Sequence, residues 1–159
     1  MQESKERFKD HSEQEIVMFR IGCMTEKEFK ILEHVLKQIR DQYPYIRPKV
    51  IVRDFFDLKN LYENQQLELV IATRGLSTQG YYKKVTTYQS YVVMPSDHPL
   101  AKCGYGIALL PGFVIPDDKE VVCVPVADTK NIEYGFYYRS SEKHVKYFME
   151  QYFTCIAVF

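Results

Sequence analysis

The chain has 159 residues, of which 46% are hydrophobic, and this length and composition are typical of one globular domain. Lysine and arginine number 21, as do aspartate and glutamate, so the formal net charge is zero. Because non-specific nucleic-acid binding relies on a basic electrostatic field, this balance argues against a free-standing DNA binder.

The chain begins with a polar segment, residues 1–15, in which we expect a solvated tail or the end of a helix. No apolar core followed by small residues opens the sequence, so no secretory signal is predicted and we expect a cytoplasmic protein. The longest apolar runs, residues 107–110 and 121–126, are far shorter than the roughly 20 residues that cross a bilayer. No membrane partner is therefore expected.

The remainder, residues 16–159, is expected to form a single α/β domain. Short apolar runs rich in β-branched residues predict strands over residues 16–23, 50–53 and 67–73. Helical periodicity separates these runs. The resulting β-α-β-α-β order predicts a mostly parallel sheet flanked by helices.

Two helices are predicted between these strands. Apolar side chains recur every three or four residues from Phe29 to Tyr43, which indicates an amphipathic helix that ends before Pro44. Thr25 and Glu28 have the spacing of a capping box at its start. Asp57 is predicted to cap a second, shorter helix that runs to about residue 66.

The second half of the chain predicts further strands and one more helix. One or two strands are expected over residues 81–94, followed by strands over residues 121–126 and 132–139. Ser140 or Ser141 is predicted to cap the last helix. The apolar stripe of that helix consists of Val145, Phe148, Met149, Tyr152 and Phe153.

Several segments resemble, in order, the effector-binding domain of LysR-type transcriptional regulators. They are FRIGC (19–23), IRDQYPYIRPKVIV (39–52), ENQQLELVIATR (63–74), YVVMPSDHPLAK (91–102), GYGIALLPGFVI (104–115) and IEYGFYYRSSEKHVKYFMEQYF (132–153). The resemblance implies the fold of a type 2 periplasmic binding protein, of which this chain resembles the first subdomain. It also implies a regulatory function, in which a small-molecule effector binds between two subdomains.

The sequence departs from the family pattern in two places. The family begins with a helix-turn-helix that contacts DNA, and here only the polar residues 1–15 precede the first strand, so no direct DNA contact is expected. After Lys102 the family has most of its second subdomain, and we interpret residues 104–126 as a remnant of it. We infer either a natural or engineered remnant of such a regulator or a chain from which residues are missing.

The resemblance implies six candidate effector-binding residues. A helix N-terminus presents free backbone donors, which places the first three at the start of the first helix. The others follow the second strand or lie at strand ends, and the set is Cys23, Met24, Thr25, Phe55, Arg74 and Ser96. Alternatives are open: Thr25 as a simple N-cap, Phe55 or Phe56 as core, and Arg74 and Ser96 as solvated loop residues. Glu26 argues against an anionic effector because it competes for the same end of the helix dipole.

Catalysis and cofactor binding have little support in the sequence. His34 and His98 have no nucleophile at a recognisable spacing, and His144 is expected to face solvent. The four cysteines form no metal or redox motif, so no metal or cofactor is expected and buried or half-buried thiols are predicted. A thiol-sensing role for Cys23 is a minor alternative, because a helix N-terminus lowers a thiol pKa.

Self-association is the remaining expectation. Family members associate through effector domains packed side by side, so a homodimer is predicted. The rival hypothesis is a truncated dimerisation or protein-interaction module that has lost ligand sensing. Phe55 and Phe56 favour that alternative if they fill the cleft.

Overall fold

A computed structural model describes residues 15–96, 108–111, 119, 121–127 and 131–158, and within them the chain forms eight strands and three α-helices. The helices are α1 (Phe29–Gln42), α2 (Phe55–Glu63) and α3 (Lys143–Val158). The strands are β1 (Val17–Cys23), β2 (Ile46–Val52), β3 (Leu69–Thr73), β4 (Tyr81–Tyr88), β5 (Ser90–Pro95), β6 (Ala108–Pro111), β7 (Val121–Pro125) and β8 (Ile132–Tyr138).

Five of the strands form one sheet in the order β2-β1-β3-β8-β4. Strand β1 pairs in parallel with β2 and β3, whereas β8 runs antiparallel between β3 and β4. Four strands therefore point in one direction and only β8 opposes them. This confirms the predicted α/β fold with a mostly parallel sheet flanked by helices.

The two faces of this sheet are covered by different helices. The larger core cluster joins alternate residues of β1, such as Phe19 and Ile21, to the apolar stripes of α1 and α3. The smaller cluster lies on the opposite face, where Leu58 and Tyr62 of α2 pack with Tyr137 of β8. Both faces are apolar because helices cover both, as expected for the parallel part of such a sheet.

A second sheet has three antiparallel strands in the order β6-β5-β7. It contains the described parts of residues 104–126, the segment predicted to be a subdomain remnant. That assignment stays a prediction, and the polar residues 1–14 lie outside the described part of the chain.

Several local predictions need correction. Strand β2 begins at Ile46, earlier than expected, because Pro48 is tolerated on an edge strand of the sheet. Asp54, and not Asp57, caps α2: its side chain accepts a hydrogen bond from the backbone N–H of Asp57. The periodicity of the helix correctly placed its body but not its first residue.

His144 is also placed differently from the prediction. It is 5% exposed, and its ring makes an edge contact with Phe19 at 5.1 Å between centroids. His144 directly precedes Val145 of the buried stripe, and through Phe19 it packs against the larger cluster. Burial lowers the pKa of His144 and outweighs the opposing effect of Glu142 and Glu68.

Candidate functional site

The candidate site lies at the edge of the large sheet where its parallel strands end. Cys23 at the end of β1 is in register with Val52 of β2 and Ile71 of β3. The segments that follow these three strands therefore emerge side by side. Ligands of open α/β sheets commonly bind at such a carboxyl edge.

Three of the six predicted residues share the α2 side of this edge. Met24 and Phe55 are half-buried and pack against the smaller cluster, as does Tyr82 of β4. The guanidinium of Arg74 lies 5.7 Å from the centre of the Tyr82 ring. We call the surface formed by Met24, Phe55, Arg74 and Tyr82 the strand-end surface.

Arg74 is exposed on the strand-end surface and is paired with a carboxylate. Its Nη1 lies 2.8 Å from Oε2 of Glu133, and its backbone N–H donates to the backbone carbonyl of Glu133. An exposed ion pair of this kind contributes little to stability, about 0–1 kcal/mol. Arg74 can therefore change partner at low cost.

The two aromatic side chains that follow β2 have different environments. Phe55 packs on the smaller cluster, whereas Phe56 is 74% exposed, and their rings meet edge to face at 5.8 Å between centroids. Of these two residues, only Phe55 therefore packs against the core beneath α2. The α-helical turn explains the difference, because adjacent helix residues point about 100° apart.

Thr25 lies on the other side of the sheet edge, beneath α1 and α3. Its hydroxyl accepts a hydrogen bond from the backbone N–H of Lys27, so Thr25 does act as an N-cap. It also lines a cavity of about 340 Å³, which we call the Glu28 cavity. Its lining residues are Thr25, Lys27, Glu28, Ile31, Thr86, Tyr88, Tyr134, Tyr152 and Ile156.

Glu28 is a functional candidate that the sequence analysis missed. The Thr25–Glu28 spacing predicts a capping box, but Glu28 turns into the core and is 6% exposed. The hydroxyl of Tyr152 donates to its Oε2 at 3.2 Å. Burial raises the pKa of Glu28 to about 8, although the Tyr152 hydrogen bond opposes the shift. The short 3-10 turn at Glu26–Glu28 produces this geometry, and the sequence carries no signal for it.

Cys23 is buried, and its environment does not favour a reactive thiolate. Burial raises the pKa of Cys23 to about 12, with a further contribution from the nearby carboxyl group of Glu28. Its thiol donates a weak hydrogen bond to the carbonyl of Thr25. The expectation of a lowered thiol pKa is therefore wrong, because burial dominates over the helix N-terminus.

The remaining candidates are more dispersed. Ser96 is exposed and directly follows β5, in the second sheet. His98 and Cys103 lie outside the described residues, and Cys123 and Cys155 are half-buried. Within the described ranges, no group of three or more metal-binding side chains is present and no helix is long and apolar enough to cross a membrane.

Comparisons with known proteins place these features in context. The family model for the LysR substrate binding domain matches residues 13–104. No curated protein gives a significant match. All six predicted effector residues fall within the matched segment.

Solved structures of similar fold include regulatory domains with low sequence identity. A variant of the BenM effector binding domain has a TM-score of 0.65 at 13% identity, covering 89% of this chain and 95% of that one. A variant of OxyR from Corynebacterium glutamicum has a TM-score of 0.62 at 16% identity, covering 98% and 71%. A variant of the OxyR regulatory domain from Pseudomonas aeruginosa has a TM-score of 0.60 at 13% identity, covering 88% and 98%. At these identities the likeness concerns the fold.

Proposed function

Because the chain belongs to the LysR substrate binding domain family, we propose that it is the ligand-sensing domain of a LysR-type transcriptional regulator and binds a small-molecule effector. The observation that carries the proposal is the convergence of Met24, Phe55 and Arg74 at one carboxyl edge of the sheet. This function is regulatory and not catalytic, and it is exercised in the cytoplasm.

The strand-end surface offers what a small metabolite requires. Met24 and Phe55 provide apolar area against which the body of a ligand packs. Arg74 provides an exposed cation that can exchange Glu133 for a polar group of the ligand. Thr25 lies at the border between the two sides of the sheet. Cys23 and Ser96 stay predicted contacts outside the strand-end surface, because Cys23 is buried in the larger cluster and Ser96 follows a strand of the second sheet.

Sensing requires that the effector binds two arrangements of the regulator with different affinities. A ligand that closes the strand-end surface against a second wall favours the closed arrangement, and the DNA-contacting parts of the regulator respond. The balanced charge of this chain suits that division of roles, because DNA contact is then made elsewhere.

We also propose that the domain acts as a homodimer. Strand β2 is at the edge of the large sheet, and a groove of about 710 Å³ runs between α1 and β2. Leu36, Ile46 and Pro48 line it together with charged side chains. Sedimentation velocity of the 18.8 kDa chain tests this point: a species of twice that mass is expected, and a monomer at all concentrations contradicts it.

Thermal unfolding with a panel of amino acids, carboxylates and aromatic acids tests ligand sensing. A ligand at roughly 100 times its dissociation constant adds about 2.7 kcal/mol, which is visible as a raised midpoint. Phe55→Ala and Arg74→Gln are expected to remove the ligand-induced increase. Phe56→Ala is the matched control and is expected to keep it, because Phe56 is 74% exposed. A panel that leaves a cooperative transition unchanged contradicts ligand sensing.

One observation favours the alternative, a protein-interaction module without an effector. Several large apolar side chains are exposed, including Phe56 at 74%, Ile16 at 60% and Met18 at 48%. Such side chains can serve a protein partner. An unchanged ligand panel together with loss of self-association in Phe56→Asp or Met18→Asp supports this alternative.

A further inference from the structure

The Glu28 cavity is a chemically specific chamber on the side of the sheet covered by α1 and α3. Its volume of about 340 Å³ is at the lower end of the range for small-molecule sites. Three tyrosines, Tyr88, Tyr134 and Tyr152, contribute to its walls. Ile31 and Ile156 supply apolar area, so most of the lining suits an uncharged or aromatic body.

One wall of the cavity carries a carboxyl group with spare hydrogen-bonding capacity. Glu28 is 6% exposed, and only its Oε2 receives a hydrogen bond, from the Tyr152 hydroxyl. Its Oε1 is buried without a hydrogen-bond partner among the described residues. Buried polar atoms in native proteins are nearly always paired, so this oxygen calls for an explanation.

The groups around Glu28 do not neutralise it. Cys23 of β1, Tyr88 of β4 and Tyr152 of α3 all have pKa values raised by burial and by the Glu28 carboxyl group, so they are uncharged near neutral pH. Tyr134 of β8 brings a further hydroxyl group. Lys27 is exposed and also lines the cavity.

These features together select the chemistry of a ligand. An ammonium group can donate to the unpaired Glu28 oxygen and form a charge-assisted hydrogen bond with the carboxylate. The three tyrosines of the lining add a favourable cation–π interaction where the ammonium group lies over a ring face. A carboxylate ligand is disfavoured where Glu28 is ionised, because it then meets a second negative charge.

We propose that the Glu28 cavity binds a small primary amine with an apolar body, whose ammonium group pairs with the Glu28 carboxylate. This site is distinct from the strand-end surface and does not depend on the proposed effector function. Thr25 lies at its border, whereas Phe55 and Arg74 do not line it.

Calorimetric titration of the intact chain with three probes of the same body tests the proposal, at a pH no lower than the Glu28 pKa of about 8, so that the carboxylate is substantially ionised. The probes are 2-phenylethylamine, 2-phenylethanol and phenylacetate, which present an ammonium, a hydroxyl and a carboxylate group. The amine is expected to bind at least about tenfold more tightly than the alcohol, since a hydrogen bond to a charged group is the stronger one. Equal binding of amine and alcohol, or no binding of the amine, overturns the proposal.

The pH dependence gives a second readout that needs no variant. The amine pairs with ionised Glu28, whose pKa is raised to about 8. As the pH is raised toward that pKa, the affinity for the amine should increase about tenfold per pH unit. Above the pKa the affinity should level off. An affinity that is the same at about pH 6 and about pH 8 overturns the pairing with Glu28.

Glu28→Gln is the matched substitution, because it keeps the shape and removes the charge. It is expected to weaken amine binding at least about tenfold and to abolish the pH dependence. Glu33→Gln, an exposed position on α1, is the control and should leave both unchanged. Phe55→Ala should also leave amine binding unchanged, which separates this site from the effector site. Unaltered amine binding in Glu28→Gln overturns the proposal.

Discussion

Replacing Glu28 with glutamine should change how the stability of the protein depends on pH. Burial raises the pKa of Glu28 from 4.5 to about 8. Between these two values the native state retains a proton on Glu28 that the unfolded state has released. The native state therefore loses stability as pH rises through this window, and the loss is complete above about pH 8.

The size of the effect follows from the two pKa values. One pKa unit corresponds to about 1.4 kcal/mol, so the whole rise from 4.5 to about 8 amounts to about 5 kcal/mol. Glutamine has no proton to lose and removes this cost. The free energy of unfolding of Glu28→Gln relative to the wild type should therefore increase by about 3–4 kcal/mol between about pH 5 and about pH 8.

Urea denaturation of both proteins at several pH values measures this difference. Most other titrating groups cancel in the comparison, because they are common to the two chains. Cys23 and Tyr152 stay uncharged in this range since their pKa values are raised. Glu33→Gln, at an exposed position of α1 after the turn that holds Glu28, is the control and should keep the stability curve of the wild type. Parallel stability curves for the wild type and Glu28→Gln would refute the burial of an uncompensated Glu28.

Two further predictions concern packing and protonation. Gly135→Ala should lower the free energy of unfolding by about 3 kcal/mol or more, because the new Cβ meets the backbone carbonyl of Lys83 and, at 2.8 Å, the Tyr82 ring. Gly75→Ala should cost less, since only its positive φ of 98° opposes a side chain, and equal losses in urea denaturation would contradict this. In NMR titration, His144 should protonate below the ordinary histidine pKa of 6.5, which destabilises the native state as pH falls; an ordinary pKa would show that the ring is solvated.

The elements of the fold were largely predictable, because they depend on periodicity. The apolar run before Cys23 and the stripe from Phe29 to Ile39 appear as β1 and α1 with nearly the predicted bounds. Helix starts were less predictable: Asp54 and Asp57 both have the side chain of an N-cap, and the local backbone decides between them. Pro48 is tolerated in β2 because this strand lies at the edge of the sheet. The edge position depends on the strand order of the whole sheet and cannot be inferred from the residues of β2 alone.

The arrangement of the candidate site could be predicted only in part. The sequence places Met24, Phe55 and Arg74 at strand ends, and parallel pairing of β1 with β2 and β3 brings these ends together. The Glu28 cavity could not be predicted. It depends on Tyr152, 124 residues away, and on a turn that directs a residue with the spacing of a helix cap into the core.

In the proposed function, an effector binds at the strand ends of this domain. The most direct test is an amide NMR titration of the isotope-labelled chain with the compound that most raises its unfolding midpoint. The largest shifts are expected at Cys23, Met24, Thr25, Phe55 and Arg74, and Phe55→Ala should abolish them. Saturable binding whose shifts fall elsewhere, such as along the groove between α1 and β2, would contradict the claim.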